Sequence, residues 1–462
     1  MYVRKLHIDG LKLLKDFELD FTRNGEPRMW TVLVGRNGLC KTAILRALAL
    51  AASGRDRANQ LAQGMHRSLR DLRDDTRTLS IRGEFGFGEI GERYGRYHPG
   101  QVYQPTLLTR LELPQSRQLF EGFSSYAEDD PFELDHGRAS GQDQRDLFFV
   151  RDPLEEVRAA SPPHPHWFVV AYGINRSLPT PLSAREPDDV THARVASIFH
   201  NAPLIGTGFA DLFDDDNARI YSRILKKAML THADLLPVVQ DFSLHGRGGV
   251  STADRLVTSH RFTVRSGDDA ELKLPATWLS QGYQAAIAWL ADLVGQVLWE
   301  VNAANLDDNI DIEPEQMEGL VLVDELDLHL HPTWQVGFIA ALKQTFPHLQ
   351  FVVTTHSPML LAGLEADEIV MLDEDPATGD IVAQHDPRPP KLLTGTQILE
   401  RYFSIDRLYP LNLAEKIRRY DAIANNPLRS DEEQAEMTDL YEELAAAGAA
   451  PGWEPIERSE SA

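Results

Sequence analysis

Residues 35–42, GRNGLCKT, have the types and spacing of a loop that binds phosphate groups. They fit the pattern G-x-x-x-x-G-K-[ST] except at Cys40, where a glycine is usual. In such loops, backbone N–H groups at a helix N-terminus point at phosphate oxygens, the lysine reaches the outer phosphates, and the threonine hydroxyl holds Mg²⁺. The sequence therefore predicts a phosphate-binding loop, whose residues are Gly35, Arg36, Asn37, Gly38, Leu39, Cys40, Lys41 and Thr42.

Two adjacent carboxylates follow a strongly apolar stretch, LVLV, at residues 320–323. Four consecutive apolar residues are typical of a strand buried on both faces of a parallel sheet. Asp324 and Glu325 come next, and such a pair is costly to bury unless a cation lies nearby. We therefore predict that Asp324 holds Mg²⁺ through water and that Glu325 polarises an attacking water as a general base.

A histidine occupies the corresponding place after the next buried strand. The stretch FVVTTHSP ends this strand with two threonines and His356, which lies one predicted helix beyond Glu325. In a βαβ unit, successive parallel strands end at the same edge of the sheet. We therefore predict that His356 lies close to Glu325, where it could hydrogen-bond a terminal phosphate and report its presence.

The stretch LSQGYQ opens a long helix that is nearly all apolar. Ser280 is placed as the N-cap residue, and its hydroxyl together with the helix N–H groups would form a second anion site without a lysine of its own. A capped helix without a ligand is the alternative interpretation of this stretch taken alone. As a ligand site, it would use Ser280, Gly282 and Gln284.

Together these segments resemble the motifs of ABC-type ATPases in their RecF/SMC/OLD-like branch. GRNGLCKT resembles the Walker A motif, LSQGYQ the signature, LVLVDE the Walker B motif, ELDLHLHP the D-loop and TTHS the switch-histidine loop. The opening GLKLLKDFELDF is also similar, with Lys12 near the family's adenine-side basic residue, and VVAYGINR resembles a strand and turn near the nucleotide. The resemblance covers about residues 1–55 and 270–375.

The resemblance implies ATP and Mg²⁺ as cofactors, with Glu325 and His356 as catalytic residues and Thr42 and Asp324 as metal ligands. In this family the signature of one subunit completes the nucleotide site of another subunit. The resemblance therefore implies a homodimer with ATP sandwiched at its interface, and it leaves higher oligomers open. No residue of the sequence stands out as the Q-loop glutamine.

The insertion between Thr42 and Ser280 narrows the resemblance. It is compact, whereas SMC and repair heads carry hundreds of coiled-coil residues there, and transporter ATPases have a much shorter spacing. The runs DELDLHLHPTWQ and FPHLQFVVTTHSP are similar to stand-alone ATPases of bacterial anti-phage defence operons, of the Septu and retron-associated kinds. This resemblance implies a switch in DNA-related transactions that works with a separately encoded nuclease or toxin. A RecF-like DNA repair ATPase and an ATP-binding scaffold with little turnover are the alternatives.

Strands and helices must bring these segments together. Three alternating strands (YVRKLHI, FELDF and TVLVG) precede the phosphate-binding loop, the first two joined by a tight turn near Asp9 and Gly10, and AILRALALAA follows as a helix. The predicted fold class is α/β: an ABC-type ATPase head with a mixed central sheet, N-terminal antiparallel strands, a helical or mixed insertion, a helical C-terminal tail and no long coiled coil. The predicted ATPase core comprises residues 1–80 and 270–385, the lid or insertion subdomain 81–269, and the tail 386–462.

The insertion itself offers weaker patterns. The stretch NARIYSRILKKAMLTHADLLPVVQDF, at residues 217–242, predicts a single helix. The stretch PDDVTHARV, at residues 187–195, predicts an exposed acidic connection.

The composition is ordinary for a soluble globular protein, with 42% hydrophobic and 25% charged residues among 462. No apolar run is long enough to span a bilayer, and charged residues interrupt the N-terminus, so the sequence predicts neither a membrane span nor a signal peptide. Cys40 is the single cysteine, which excludes a disulfide framework and a cysteine zinc site. We therefore expect a cytoplasmic protein.

The net charge of −24 argues against a surface coated in basic residues for nucleic acid. A local basic groove is still compatible with it. The densest basic stretch indicates either a solvated helix with i,i+4 acidic partners or a DNA contact. Its arginines are Arg55, Arg57, Arg67, Arg70, Arg73, Arg77 and Arg82, and the candidate acidic partners are Asp71, Asp74 and Asp75.

Cys40 raises the question of whether the phosphate-binding loop still works. A decayed site should have lost several of its other chemical residues, yet all of them are present. We therefore predict a working site with slow turnover, because a β-carbon at position 40 narrows the loop. The thiol also lies at a helix N-terminus beside Lys41, which predicts that its thiolate form is favoured.

Overall fold

The computed structural model of the chain divides into two compact units, Met1–Gly395 and Thr396–Ala462. All the segments with candidate chemistry fall in the first unit. The residues that the structure describes are 1–74, 76–88, 106–115, 117–126, 154, 167–176, 189–200, 204, 215–231, 239–244, 260–265, 271–303, 312–403, 411–447 and 455.

The described strands form sheets of six, five, three and two strands. In chain order they are β1 (Tyr2–Asp9), β2 (Phe17–Asp20), β3 (Thr22–Arg23), β4 (Glu26–Pro27), β5 (Trp30–Val34), β6 (Leu79–Gly86), β7 (Thr106–Leu113), β8 (Glu121–Tyr126), β9 (Val169–Tyr172), β10 (Val239–Leu244), β11 (His260–Arg265), β12 (Glu271–Pro275), β13 (Gly319–Val323), β14 (Leu349–Thr354), β15 (Ile369–Glu374) and β16 (Ile381–Gln384). The α-helices are α1 (Lys41–Ser53), α2 (Arg55–Leu61), α3 (His66–Leu69), α4 (Val190–Ala196), α5 (Asp215–Lys226), α6 (Gln281–Ala303), α7 (Pro332–Thr345), α8 (Pro358–Leu361), α9 (Gly395–Phe403), α10 (Leu411–Ala424) and α11 (Asp431–Ala446).

The central sheet has the strand order β16-β15-β5-β14-β13-β9. Its neighbours pair in parallel except β15 and β16, which form an antiparallel hairpin at one edge. Because parallel strands end at the same edge of a sheet, the chain leaves β5, β9, β13 and β14 on one side of the unit. The predicted mixed central sheet is confirmed, and this edge is where the candidate residues meet.

The N-terminal strands belong to a second sheet, which is antiparallel and has the order β2-β1-β6-β7-β8. Apolar residues pair across it, Leu6 with Leu19 and Ile8 with Ile81. The turn after β1 uses Gly10, whose φ of 72° lies in the left-handed region that glycine tolerates. The predicted antiparallel N-terminal strands are confirmed, while the connection between the first two strands runs over residues 10–16 and is longer than the predicted tight turn.

Helix α1 lies between the two large sheets, and its apolar residues belong to the same hydrophobic core as residues of both sheets. All its residues are buried except Thr42 and Arg46. A helix that is apolar all round must be covered on every side, and the small alanines of AILRALALAA let the sheets approach closely. Each leucine buried in this way contributes about 1.5–3 kcal/mol. This packing fixes the helix whose first turn forms part of the phosphate-binding loop.

The region assigned to the insertion contributes directly to the main sheets. Strand β9 pairs in parallel with β13 as the last strand of the central sheet, and all four of its residues are buried. Strands β6, β7 and β8 extend the N-terminal sheet, while β10, β11 and β12 form a separate antiparallel sheet. The boundary expected near residue 81 is therefore not a structural one, because buried strands on both sides of it pair with the core.

Two local predictions in this region are wrong. The stretch predicted as one helix begins as α5 and continues as a π-helical turn at Lys227–Thr231, but its end is strand β10; residues 232–238 lie outside the described part. The stretch predicted as an acidic connection contains α4, because the Asp189 carboxylate accepts a hydrogen bond from the His192 N–H at 3.0 Å and caps the helix.

The second unit is helical, as predicted for the tail. Helices α10 and α11 pack through a small core formed by Tyr420, Ile423, Ala424, Met437 and Leu444. Ser430 begins α11 with a capping box, in which its hydroxyl accepts from the Glu433 N–H at 3.2 Å and the Glu433 carboxylate accepts from the Ser430 N–H at 2.9 Å. Among the residues that the structure describes, no helix has the length and apolar character needed to cross a membrane.

Candidate functional site

The phosphate-binding loop joins β5 to α1 and has an open centre. The Lys41 ammonium donates to the carbonyls of Gly35 (2.7 Å) and Arg36 (2.9 Å), so it spans the loop. Gly35 has a φ of 149°, and a β-carbon there would lie 2.7 Å from the Leu372 carbonyl oxygen. Gly38 has a φ of 92° and open space around it. The first turn of α1 contains no acidic residue, so the loop offers an anion the helix N–H groups and the Lys41 ammonium.

Cys40 lies in the left-handed region, with φ 58° and ψ 17°. This explains why glycine is usual here, since a β-carbon makes this conformation costly by about 1–2 kcal/mol. Burial raises the pKa of the Cys40 thiol, while a hydrogen bond with the Leu13 backbone and the charge of Lys12 oppose that rise. The prediction of a favoured thiolate is therefore wrong, because desolvation of the sulfur outweighs the nearby positive charge.

Asp324 follows β13 and is brought into contact with the phosphate-binding loop. Its carboxylate is 5% exposed and accepts hydrogen bonds from the hydroxyls of Thr42 (2.8 Å) and Thr354 (2.7 Å). The negative charge of this carboxylate interacts electrostatically with the Lys41 ammonium. Thr42 and Asp324, the two predicted Mg²⁺ ligands, therefore lie side by side although they are distant in the sequence.

Glu325 comes next and has a left-handed backbone, with φ 48°. In the described part of the chain, no group donates a hydrogen bond to its half-buried carboxylate, and Lys41 lies within its electrostatic reach. The Glu325 N–H, in contrast, donates to the Thr354 hydroxyl at 2.7 Å. The backbone is thus held, while no donor among the described residues occupies the carboxylate, as the predicted role of general base requires.

The loop after β14 is tied to the segment after β13 through Asp327. The Asp327 carboxylate accepts hydrogen bonds from the Thr355 hydroxyl (2.6 Å) and the His356 N–H (3.1 Å). Burial lowers the pKa of His356, and the Lys41 ammonium lowers it further against the opposing carboxylates. His356 is therefore neutral at neutral pH and lies with Lys41 and Glu325 at one edge of the sheet, as predicted.

Helix α6 begins directly after Ser280, at the predicted N-cap position. Gly282 approaches the segment after β13 so closely that a β-carbon would lie 2.7 Å from the His329 carbonyl oxygen. The Gln284 amide group donates to the Leu279 carbonyl at 2.7 Å, which orders the turn before the helix. Position 282 therefore requires a residue without a β-carbon. The side-chain amide of Gln284 hydrogen-bonds within the chain rather than being left for a ligand.

Comparison with known proteins agrees with this geometry. The family model described as "AAA domain, putative AbiEii toxin, Type IV TA system" matches residues 172–362, which contain β13, β14 and α6. The Septu protein PtuA of Bacillus mycoides (strain KBAB4) is 22% identical over 446 residues, which is 96% of this chain and 50% of that protein. The Retron Ec83 probable ATPase of Escherichia coli is 38% identical over 106 residues, which is 23% of this chain and 18% of that protein. The resemblance to ABC-type ATPases of anti-phage defence systems is confirmed.

The relatives are longer proteins than the part they share with this chain, which spans about half the length of the Septu relative. A solved SMC head bound to the C-winged helix domain of ScpA is 14% identical and matches with a TM-score of 0.46 over 83% of this chain and 98% of that chain. The segments at residues 35–42, 320–325 and 354–357 are called Walker A, Walker B and the switch-histidine loop below, after the motifs that their sequences resemble.

The Walker A and Walker B residues fit a nucleotide with Mg²⁺. A hydroxyl and a carboxylate, from Thr42 and Asp324, meet at 2.8 Å, and both are hard oxygen ligands of the kind Mg²⁺ prefers. The Lys41 ammonium and the open space at Gly38 suit phosphate oxygens. The charge of Lys12 acts on the Cys40 thiol, so Lys12 lies near the Walker A loop; its place on the adenine side of a nucleotide stays a prediction.

Arg176 is the site residue to which the sequence assigned no role. It ends the run VVAYGINR, is 6% exposed, and donates to the carbonyl oxygens of Asp324 and Glu325 in Walker B. Burial lowers its pKa to about 10, so it stays charged at neutral pH. An arginine shortly after a buried strand of the same sheet was the signal that could have identified it.

The arginines at residues 55–82 form neither one solvated helix nor a free basic groove. The segment contains α2, α3 and the start of β6. Four of its guanidinium groups bind partners inside the fold: Arg57 with Asp189, Arg70 with the Pro114 carbonyl, Arg73 with Asp71 and Asp380, and Arg77 with Asp9. A DNA contact through these four groups would have to break those bonds, so the structure gives no support for placing one there. None of the partners named here stands at i,i+4 spacing, and the candidate partner Asp75 lies outside the described residues.

Proposed function

We propose that this chain binds and hydrolyses ATP as a dimeric switch, and that it is the ATPase component of a bacterial defence system that acts with a separate nuclease or toxin. The observation that carries the proposal is the contact of Thr42 with Asp324 beside Lys41, which joins Walker A to Walker B. The Septu and retron relatives support the biological setting.

Each site residue has a defined task in this proposal. Lys41 exchanges its bonds to the loop carbonyls for phosphate oxygens, and the N–H groups at the start of α1 bind the same phosphates. Thr42 and Asp324 would hold Mg²⁺, which neutralises phosphate charge when bound. Glu325 accepts the proton of the attacking water, and neutral His356 hydrogen-bonds the terminal phosphate.

The dimeric arrangement is supported by the second anion site. Ser280 immediately precedes α6, Gly282 lies in the first turn of this helix against the His329 carbonyl, and the stretch LSQGYQ contains no lysine. An anion site without a lysine is incomplete for a nucleotide. In a symmetric pair of subunits, each Ser280 would meet the nucleotide that is bound by the Lys41 of the other subunit.

Mixing two inactive variants should restore hydrolysis if the site is shared. Ser280→Arg blocks the signature, and Lys41→Ala removes the phosphate lysine, so neither homodimer should hydrolyse ATP. A heterodimer keeps one complete site, and an equal mixture should recover about a quarter of wild-type activity, because half of randomly paired dimers are mixed and each has one working site. The measurement is steady-state phosphate release across mixing ratios.

The matched control mixes Lys41→Ala with Asp324→Asn. Both changes damage the same half of the composite site, so their heterodimer contains no complete site and should stay inactive. Equal recovery in the two mixtures would mean contamination by another ATPase, because subunit exchange cannot complete a site in the second mixture. No recovery in the first mixture at any ratio would rule out the shared site. Wild-type ATP binding with turnover below detection would indicate a scaffold rather than an ATPase.

Cys40→Gly should raise the hydrolysis rate while changing the Kd for ATP by less than about tenfold, or roughly 1.4 kcal/mol. Glycine adopts a φ of 58° without strain, so the Walker A loop can adjust more easily as phosphates bind and leave. Steady-state turnover and equilibrium ATP binding are the measurements. Cys40→Ala is the control, since it removes the thiol but keeps the β-carbon and should turn over like the wild type. A slower Cys40→Gly variant would show that the β-carbon is not what limits the cycle.

A further inference from the structure

The backbone of Glu325 is held from both sides by the strands that flank β13 in the central sheet, β14 and β9. On one side, Thr354 at the end of β14 accepts a hydrogen bond from the Glu325 N–H at 2.7 Å. On the other side, Arg176, which follows β9, donates to the carbonyl oxygens of Asp324 and Glu325. Two neighbouring strands thus fix both polar groups of the Glu325 backbone.

This hold acts on a strained residue. Glu325 has a φ of 48°, and a residue with a β-carbon in this region costs about 1–3 kcal/mol and persists only where the surroundings enforce it. The direction of a side chain follows from the dihedral angles of its backbone. The contacts that keep φ of Glu325 positive therefore also decide where its carboxylate points.

The environment of Arg176 suits it to hold carbonyl groups rather than to bind a ligand. Its Nε donates to the Gly173 carbonyl at 3.0 Å, and its terminal nitrogen serves Asp324 and Glu325. These acceptors are all backbone oxygens, and the residue is 6% exposed. The planar fork of a guanidinium can bond several carbonyls at once, whereas a lysine ammonium is a single point of charge.

We propose that Arg176 is a positioning residue for ATP hydrolysis, which holds the Walker B backbone so that the Glu325 carboxylate faces the attacking water. The proposal rests on the proposed function. Arg176 has no part in the Walker A loop, whose phosphate-binding groups are Lys41 and the N–H groups of α1. Its loss should therefore lower the rate of hydrolysis and leave ATP affinity unchanged.

Arg176→Met should lower kcat by roughly 10- to 100-fold, as expected when a catalytic group is misplaced, with little change in the Kd for ATP. Arg176→Lys should fall between Arg176→Met and the wild type, because it keeps the charge but loses the fork. In the Glu325→Gln background, Arg176→Met should cause no further loss, since a residue that acts through Glu325 has nothing left to position. Radiolabelled ATP hydrolysis over long incubations resolves these residual rates.

Arg28→Met is the matched control. Arg28 is 8% exposed and donates to the Thr31 hydroxyl (3.1 Å) and the Asp20 carbonyl (2.8 Å), just before β5 and therefore at the end of this strand opposite to Walker A. The Arg28→Met substitution removes comparable buried hydrogen bonds, and the variant should keep the wild-type kcat per folded molecule. If Arg28→Met lost as much kcat as Arg176→Met, the effect of Arg176 would come from general destabilisation of the fold, and the proposal would be overturned.

Two further outcomes distinguish failure of the positioning role from failure of the proposed ATPase function. If the wild type hydrolyses ATP but Arg176→Met keeps its kcat, or lowers the rate further in the Glu325→Gln background, the positioning role is wrong and the ATPase stands. If the wild type hydrolyses no ATP, the proposed function itself fails. Should Arg176→Met not fold, Arg176→Lys alone and with Glu325→Gln makes the same comparison.

Discussion

Glu325→Gln should lower ATP hydrolysis by at least about 100-fold, the lower end of what a general base contributes. Glutamine has nearly the shape of glutamate but cannot accept the proton of water. The hydrogen bond that the Glu325 N–H donates to Thr354 and the one that its carbonyl accepts from Arg176 use only the backbone of Glu325, so the fold should be unaffected. ATP binding through Lys41 should persist, and the variant should accumulate as an ATP-bound dimer. Phosphate release, equilibrium ATP binding and light scattering with and without Mg-ATP test these three points.

Glu26→Gln provides the control, because it makes the same chemical change at an exposed position on β4, outside the candidate site. Its turnover and molar mass should match the wild type. Near-normal hydrolysis by Glu325→Gln would show that another group takes the proton. Loss of ATP binding in that variant would show that Glu325 supports the nucleotide rather than the chemistry.

Arg194→Met should lower the free energy of unfolding by about 3–5 kcal/mol, the usual cost of breaking a buried ion pair on one side. Arg194 on α4 donates to Glu300 on α6 at 2.8 Å, and the two side chains are 4% and 2% exposed. Its Nε also donates to Gln296 at 3.0 Å, and its guanidinium lies over the rings of Phe168 and Trp299. Without Arg194, the Glu300 carboxylate is buried without its cation. Denaturant unfolding measures the loss.

The pKa of Glu300 predicts the direction in which the stability loss of Arg194→Met changes with pH. Burial raises the pKa of Glu300, and Arg194 opposes the rise, so in Arg194→Met the carboxyl should titrate still higher. A group with a raised folded pKa stabilises the fold below its unfolded pKa and loses that contribution as pH rises. The deficit of Arg194→Met should therefore grow from acidic to neutral pH.

Two variants complete this test. Adding Glu300→Gln to Arg194→Met should recover part of the lost stability, because it removes the uncompensated charge. Arg219→Met, which breaks an exposed pair with Asp216, should leave unfolding unchanged. If the buried and exposed changes cost the same, the Arg194–Glu300 pair does not stabilise the fold.

Much of the site could be predicted because its chemistry is encoded in short runs. A strand, a glycine-rich turn and an apolar helix are local patterns, and they predict a phosphate-binding loop at residues 35–42 without reference to any tertiary contact. The buried strands before Asp324 and His356 carried the same kind of signal, and the rule that parallel strands end at one edge placed those two residues together. These predictions needed no knowledge of what packs against the segments.

The errors share a different physical cause. The charged neighbour of Cys40 and its position at a helix start predict a favoured thiolate. The pKa of the thiol instead follows chiefly from burial, which residues distant in the sequence impose. The density of arginines near Arg73 predicts a solvated helix or a DNA contact. Their partners, such as Asp380, instead come from remote parts of the chain. Burial and long-range pairing are properties of the packed molecule, so composition over a short window does not reveal them.

The sequence by itself determined which residues are proposed to carry the chemistry, because the positions of Lys41, Thr42, Asp324, Glu325 and His356 at strand ends and helix starts are local patterns. Only the tertiary structure decided how that chemistry is held. The place of β9 beside β13 brings Arg176 to the Walker B carbonyls, and this pairing joins segments whose separation in the chain exceeds any local pattern. Sheet order depends on which buried strands fit together, and so it appears only in the folded molecule.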